Sequence, residues 1–199
     1  MQYFFIVFNI IGRLSFPIFA YMIAEGWKYT SNKKRYMMTI WGMGILYQII
    51  YYIFYSSLYM GIFITYGLSL LFIYVMEYFV SKKKLYFIIS PIIIISIVFI
   101  GCVEYLLPYS GFAIDYGLVG VSIPVVVYFS NSKIEKLCLL FLALCALVFV
   151  YDIVQVFSLL SIIFLAFYSE KRGNMNLKYF FYIYYPLHLV IIWFISLYL

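Results

Sequence analysis

A chain of 199 residues that is 68% hydrophobic and 10% charged carries too little polar surface to coat a soluble core. Its mean hydropathy of +1.09 excludes an ordinary water-soluble enzyme. The net charge of +6 would suggest nucleic acid in a soluble protein, but the placement of the basic residues accounts for it as cytoplasmic anchoring.

Twelve of the thirteen Lys and Arg fall in four short segments: Lys28 to Arg35, Lys82 to Lys84, Lys133 to Lys136, and Lys171 to Lys178. Between them lie apolar runs, and a helix needs about 20 apolar residues to span a bilayer. In chain order the runs are Tyr3 to Glu25, Tyr36 to Tyr55, Ile62 to Val80, Leu85 to Leu106, Tyr116 to Phe129, Leu137 to Tyr151, Val154 to Tyr168, and Tyr179 to Leu199. Basic segments follow the first, third, fifth and seventh runs. The connectors after the second, fourth and sixth hold no Lys or Arg, only Asp115 and Asp152. Because basic loops stay in the cytoplasm, this alternation predicts an all-α, polytopic integral membrane bundle of about eight transmembrane helices, with both termini outside. Strands are excluded by runs such as PIIIISIVFI, which do not alternate. The fifth to seventh runs are short and are expected to be tilted, re-entrant or thinned against a cavity. With no linker or low-complexity tract, residues 1–199 read as one domain. The opening MQYFFIVFNIIGR lacks a basic n-region and a small-residue cleavage site, so it reads as a span rather than a signal peptide.

Polar groups inside the runs are the candidates for function. Arg13, the thirteenth basic residue, lies midway along the first run, with Asn9 four before it and Pro17 four after. A charge there costs roughly 2.5–3.5 kcal/mol on insertion scales, so it faces the bundle interior. It reads either as an anchor bonded to neighbouring carbonyls or as a functional cation. His188, the chain's one His, lies at a similar depth in the eighth run and reads as a bridge between helices or a cavity group. Gln48 reads as interhelical glue or a ligand contact. At the cytoplasmic boundary Glu25 and Glu77 stand among Lys28, Lys33, Lys34, Arg35, Lys171 and Arg172. That is either ordinary positive-inside charge or a funnel for a phosphate-bearing donor. Cys102, Cys138 and Cys145 read as packing residues, and no metal site is expected. Walker, G-x-S-x-G and H-E-x-x-H motifs are absent from the sequence.

Four segments carry a resemblance: IGRLSFPIFAYMIAEGWKYTSNKKRY (Ile11 to Tyr36), DYGLVGV (Asp115 to Val121), YSEKRGN (Tyr168 to Asn174), and KYFFYIYYPLHLVI (Lys178 to Ile191). In order and spacing they resemble the TraX family of bacterial membrane proteins. The resemblance implies an integral acyltransferase of the bacterial cytoplasmic (inner) membrane, with acetyl-CoA as donor. In the namesake the acceptor is the N-terminus of a conjugative pilin. It implies His188 as a cavity residue and places Arg13 in the family's first signature; for an acetyltransferase, His188 is then expected as general base and Arg13 as the group meeting the thioester oxygen. Glu25, Gln48, Asp115, Tyr116 and Tyr185 would meet the acceptor, a membrane-associated peptide, glycan or lipid. Lys28, Lys34, Arg35, Lys171 and Arg172 would meet the donor's phosphates. Family members usually carry an upstream apolar segment with an Asp-His pair, whereas eleven residues precede Gly12 here. The competing expectation is therefore an inactive or shortened relative that acts as a membrane assembly or binding component.

Overall fold

The computed structural model describes residues 2–80 and 112–169, with side chains given for 10–78 and 112–169, and five helical positions further on: Tyr184, Leu187, Val190, Ile191 and Phe194. The fourth run, most of the eighth, and with them Lys171, Arg172, Tyr185 and His188, lie outside the described residues.

Apolar runs must satisfy their own backbone, so they coil into helices. The elements are α1 (Gln2–Tyr29), α2 (Lys33–Tyr55), β1 (Tyr59–Met60), α3 (Ile62–Val80), β2 (Ala113–Ile114), α4 (Gly117–Phe129), α5 (Lys133–Val150), a 3-10 helix (Ile153–Leu160) and α6 (Ser161–Phe167). Local chemistry sets several of the boundaries. The Asn32 side chain caps α2 by accepting from the Arg35 N–H at 2.9 Å. Ser56, at φ 49°, ends α2 in the left-handed region and returns its N–H to the Tyr52 carbonyl. Ser132 and Glu135 form a reciprocal capping box that starts α5 at Lys133. Two basic segments read as loop thus belong partly to first helical turns, which lengthens α5 to 18 residues.

α1 packs on α3, α4, the 3-10 helix and α6. α2 packs on α3, α3 on α4, α4 on α5, and α5 on the 3-10 helix and α6. One apolar cluster joins them, including Phe16, Ala20, Ala24 and Trp27 of α1, Leu70 and Ile73 of α3, Ile123 and Val127 of α4, and Leu140, Leu144 and Leu147 of α5. α2 and α3 approach closely through small residues. A Cβ on Gly44 would lie 2.8 Å from Ile64, and one on Gly67 would lie 2.9 Å from the Trp41 ring.

The helix ends sort by charge. The C-terminal ends of α1, α3 and α4 and the N-terminal ends of α2 and α5 meet at one end of the bundle, joined by Trp27, Lys33, Glu77, Tyr128, Glu25 and Lys136. Lys133 Nζ brings the end of α6 there too, donating to the carbonyls of Ala166 at 2.7 Å and Tyr168 at 2.6 Å. At the opposite end the uncharged connector after α2 pairs in parallel with the connector before α4, Tyr59 beside Ala113 and Met60 beside Ile114. Among the described residues, the alternation of loop charge along the sequence is thus an alternation of bundle ends. The exterior is apolar, with Phe149 90%, Phe167 86% and Ile153 74% exposed. Among the described residues one helix, Lys33–Tyr55, is long and apolar enough by length and composition to cross a membrane.

Candidate functional site

Arg13 sits sixteen residues before the end of α1 at Tyr29, about 24 Å along the axis from the basic end. Pro17, inside the same helix, has no N–H, so the Arg13 carbonyl loses its usual helical donor. The Arg13 side chain turns to the start of α4. Its Nη1 donates to the Tyr116 hydroxyl at 3.3 Å, and its guanidinium lies 6.0 Å from that ring's centroid. Phe16 also stacks on the Tyr116 ring, with centroids 3.9 Å apart and planes 5° from parallel. The Tyr66 hydroxyl in turn donates to the Phe16 carbonyl at 3.0 Å.

Tyr116 holds φ 58°, an uncommon conformation for a bulky side chain. Gly120 makes room for it, since a Cβ there would lie 2.5 Å from the Tyr116 Cβ. Its neighbour Asp115 is fixed at three points. Its N–H donates to Met60 O at 3.0 Å, its carbonyl accepts from Thr65 Oγ1 at 2.8 Å, and its Oδ1 accepts from the Tyr59 hydroxyl at 2.8 Å. Burial raises the Asp115 pKa above the ordinary 3.8, opposed first by the Tyr59 hydrogen bond and then by the Arg13 charge. Burial, followed by the adjacent carboxylate, pushes the Tyr59 hydroxyl well up, so Tyr59 remains a proton donor across physiological pH.

The raised Asp115 pKa has a measurable consequence. The native state binds more protons than the unfolded state between the ordinary carboxylate value and Asp115's own. Stability therefore falls as pH climbs through that window and then levels. Unfolding midpoints measured against pH should show this descending limb in the parent protein and lack it in Asp115→Asn.

Gln48 reaches the same level from α2. Trp41 faces Gly67, Gly44 faces Ile64 and Tyr47 faces Gly61. That register brings the next residue, Gln48, level with Met60, whose carbonyl Asp115 binds. Both its Oε1 and its Nε2 are buried with no hydrogen-bond partner among the described residues. Tyr47, Tyr51 and Tyr55 stack in sequence along α2 toward the same connector.

The basic end is built differently. The Glu25 carboxylate accepts from Lys136 Nζ at 2.7 Å, with both side chains under a tenth exposed. Lys136 also lies 5.7 Å from the centre of the Tyr21 ring. Glu77 accepts from Lys33 Nζ at 2.7 Å, from Trp27 Nε1 at 3.3 Å and from the Tyr128 hydroxyl, which ties four helices together. Lys28, Lys34 and Arg35 stand exposed around this end.

Of the sequence candidates, the structure gathers Arg13, Asp115 and Tyr116, with Gln48 level with them. It sets Glu25, twelve residues further along α1, about 18 Å away with the basic side chains. Sequence reasoning missed Tyr59 and Lys136. The S-x-x-E capping box at Ser132 held a clue to Lys136, because it fixes the start of α5 and turns Lys136 inward one residue past the box.

An all-helical bundle with an apolar exterior, buried ionic groups and a polar cluster around one arginine is the class these observations define. Within it the chain belongs to the TraX family: the family model described as TraX protein matches residues 1–196. Comparison with curated proteins and with solved structures finds no match.

Proposed function

We propose that this chain is a multi-pass protein of the bacterial cytoplasmic membrane, crossing about eight times, that transfers an acetyl group from acetyl-CoA to a membrane-associated amine or hydroxyl. Family membership and the apolar exterior support the class. The observation that carries the site is the meeting of two family signatures, Arg13 from the first with Asp115 and Tyr116 from the second, around one partly buried hydrogen-bonded cluster.

Lys28, Lys34 and Arg35 are exposed, and no ion pair commits them among the described residues, so they suit the donor's phosphates. Lys171 and Arg172 are assigned with them from the family pattern. The bound thioester supplies an activated acyl carbon. Arg13 directs its guanidinium to the carbonyl oxygen, where negative charge develops. His188 takes the proton of the acceptor amine or hydroxyl as the new C–N or C–O bond forms. It returns that proton to the departing thiolate as the C–S bond breaks. Gln48, Asp115, Tyr116 and Tyr185 hold the acceptor, whereas Glu25, about 18 Å along α1 beside Lys136, would meet only an acceptor long enough to reach the basic end. Because the Arg13 cluster and the exposed basic residues occupy opposite ends of the bundle, donor and acceptor approach from opposite sides.

Acetyl-CoA at 100 times its Kd should stabilise the purified protein by about 2.7 kcal/mol through mass action. Lys34→Ala with Arg35→Ala should reduce that gain. His188→Ala should keep the gain while abolishing transfer of labelled acetyl groups to membrane acceptors. Absence of both stabilisation and label transfer would reject the enzyme and leave an assembly component.

A further inference from the structure

α4 has 13 residues, against 19 in α3 and 18 in α5, and it packs on both of them. Its two faces differ. Gly120, Ile123, Pro124 and Val127 are buried, and Ile123 and Val127 join the core cluster. On the other face Leu118, Val121, Ser122, Val125, Val126 and Phe129 recur at helical spacing and floor a groove. Phe72 and Met76 of α3 make one wall, and Leu139 of α5 makes the other. The floor is mostly valine and serine while the walls carry longer side chains, so the recess follows from the sequence. It holds about 420 Å³, the scale of a small-ligand site. None of the residues assigned to acetyl transfer lines it.

The groove has nothing to bond. Two polar side chains touch it, and both are committed. The Ser122 hydroxyl donates to the Val119 carbonyl at 2.7 Å. The Glu135 carboxylate accepts the Asn131 N–H at 2.8 Å and the Ser132 N–H at 3.4 Å. A ligand rich in hydroxyls or charge would lose water there without a new partner. A chain of methylenes loses nothing and buries apolar surface.

Size selects among apolar occupants. From Leu118 to Phe129 the floor runs about 16 Å at helical rise. That is close to half of a hydrocarbon core about 30 Å thick, the depth filled by one leaflet's tails. A helix about 10 Å across would need roughly 1,300 Å³ over that length, about three times the space present. Charge sets the direction. Met76 and Phe129 are the chain neighbours of Glu77 and Tyr128, which meet each other and Lys33 at the basic end. Lys34 and Arg35 stand exposed at that end, so an anionic headgroup is favoured there.

We propose that this groove binds one acyl tail of an anionic phospholipid of the cytoplasmic leaflet, with the headgroup at the basic end. This rests on the membrane-spanning part of the reading above and not on acetyl transfer. The test uses the full chain in phosphatidylglycerol nanodiscs, with a small share of that lipid carrying a diazirine midway along one tail. After illumination, mass spectrometry locates the labelled residues. Ser122, Val125, Val126 and Leu139 should be labelled several-fold more than Met38 and Ile45, exposed apolar residues of α2 that bracket the same depth. Val125→Trp and Val126→Trp, which fill the groove, should bring Ser122 and Leu139 down to the α2 level. In phosphatidylcholine nanodiscs with matching labelled lipid the excess over α2 should shrink. Equal labelling of groove and α2 in the parent would mark ordinary surrounding lipid and overturn the site, as would undiminished labelling in both filled variants or an equal excess in phosphatidylcholine. A groove left unlabelled in a chain of dimeric mass would put a second copy there instead. If α2 escapes label as well, the membrane reading fails together with the groove, whereas labelled α2 beside an unlabelled groove rejects the groove alone.

Discussion

Arg13→Ala is expected to lower acetyl transfer roughly 100- to 1000-fold, the usual loss on removing one donor from a developing oxyanion. Stabilisation by acetyl-CoA should survive, because Arg13 lies about 24 Å along α1 from the basic end where Lys28, Lys34 and Arg35 stand. The fold should survive as well. Phe16 still stacks on Tyr116, and Tyr59, Thr65 and Met60 still hold Asp115. Arg13→Lys should give an intermediate rate, since a lysine keeps the charge without the fork that reaches two partners. Loss of Arg13 also removes a cation that opposes burial of Asp115, so the Asp115 carboxyl should titrate higher still. Parallel loss of transfer and of ligand stabilisation would mark Arg13 as a structural anchor instead. The split between the two readouts is therefore what decides its role.

The elements legible from the sequence are those whose limits are set by local chemistry. The third run, Ile62 to Val80, coincides with α3, and the fifth differs from α4 by one residue. The sixth run starts four residues late because Lys133 and Lys136 read as loop, whereas the Ser132–Glu135 box draws them into α5. The seventh run is legible, but its winding is not. Hydropathy registers apolar residues, and the 3-10 geometry shows only in the spacing of its polar ones. The pairing of β1 with β2 leaves no trace, since two-residue strands lack any periodicity. In the site, intramembrane position singles out Arg13, and the family pattern supplies Asp115 and Tyr116. Tyr59 is hidden among 24 tyrosines, and only the chain's return through β2 sets it against Asp115. Glu25 stands out as a signature residue, but its partner Lys136 lies 111 positions away, beyond the reach of any local pattern.

That pair carries the largest stability effect expected here. Lys136→Met should destabilise the protein by about 3–5 kcal/mol, because it leaves the Glu25 carboxylate buried and unpaired. The corresponding change at Lys33 should cost about 1 kcal/mol or less, since water screens the pair. Lys33 and Glu77 are 38% and 24% exposed. Replacing both members of the buried pair, Glu25→Leu with Lys136→Met, should restore stability to the parent level or above, because neither charge then needs burying. Chemical unfolding of these variants and the parent in one detergent measures the differences. The double variant also separates the two roles open to Glu25. If the carboxylate serves only to anchor α5 to α1, the double variant should transfer acetyl groups at the parent rate once it is folded. If Glu25 also touches the acceptor, stability should return while transfer stays low. Restoring Glu25 alone should not help, since without Lys136 the lone carboxylate is buried with no partner to hold it in place.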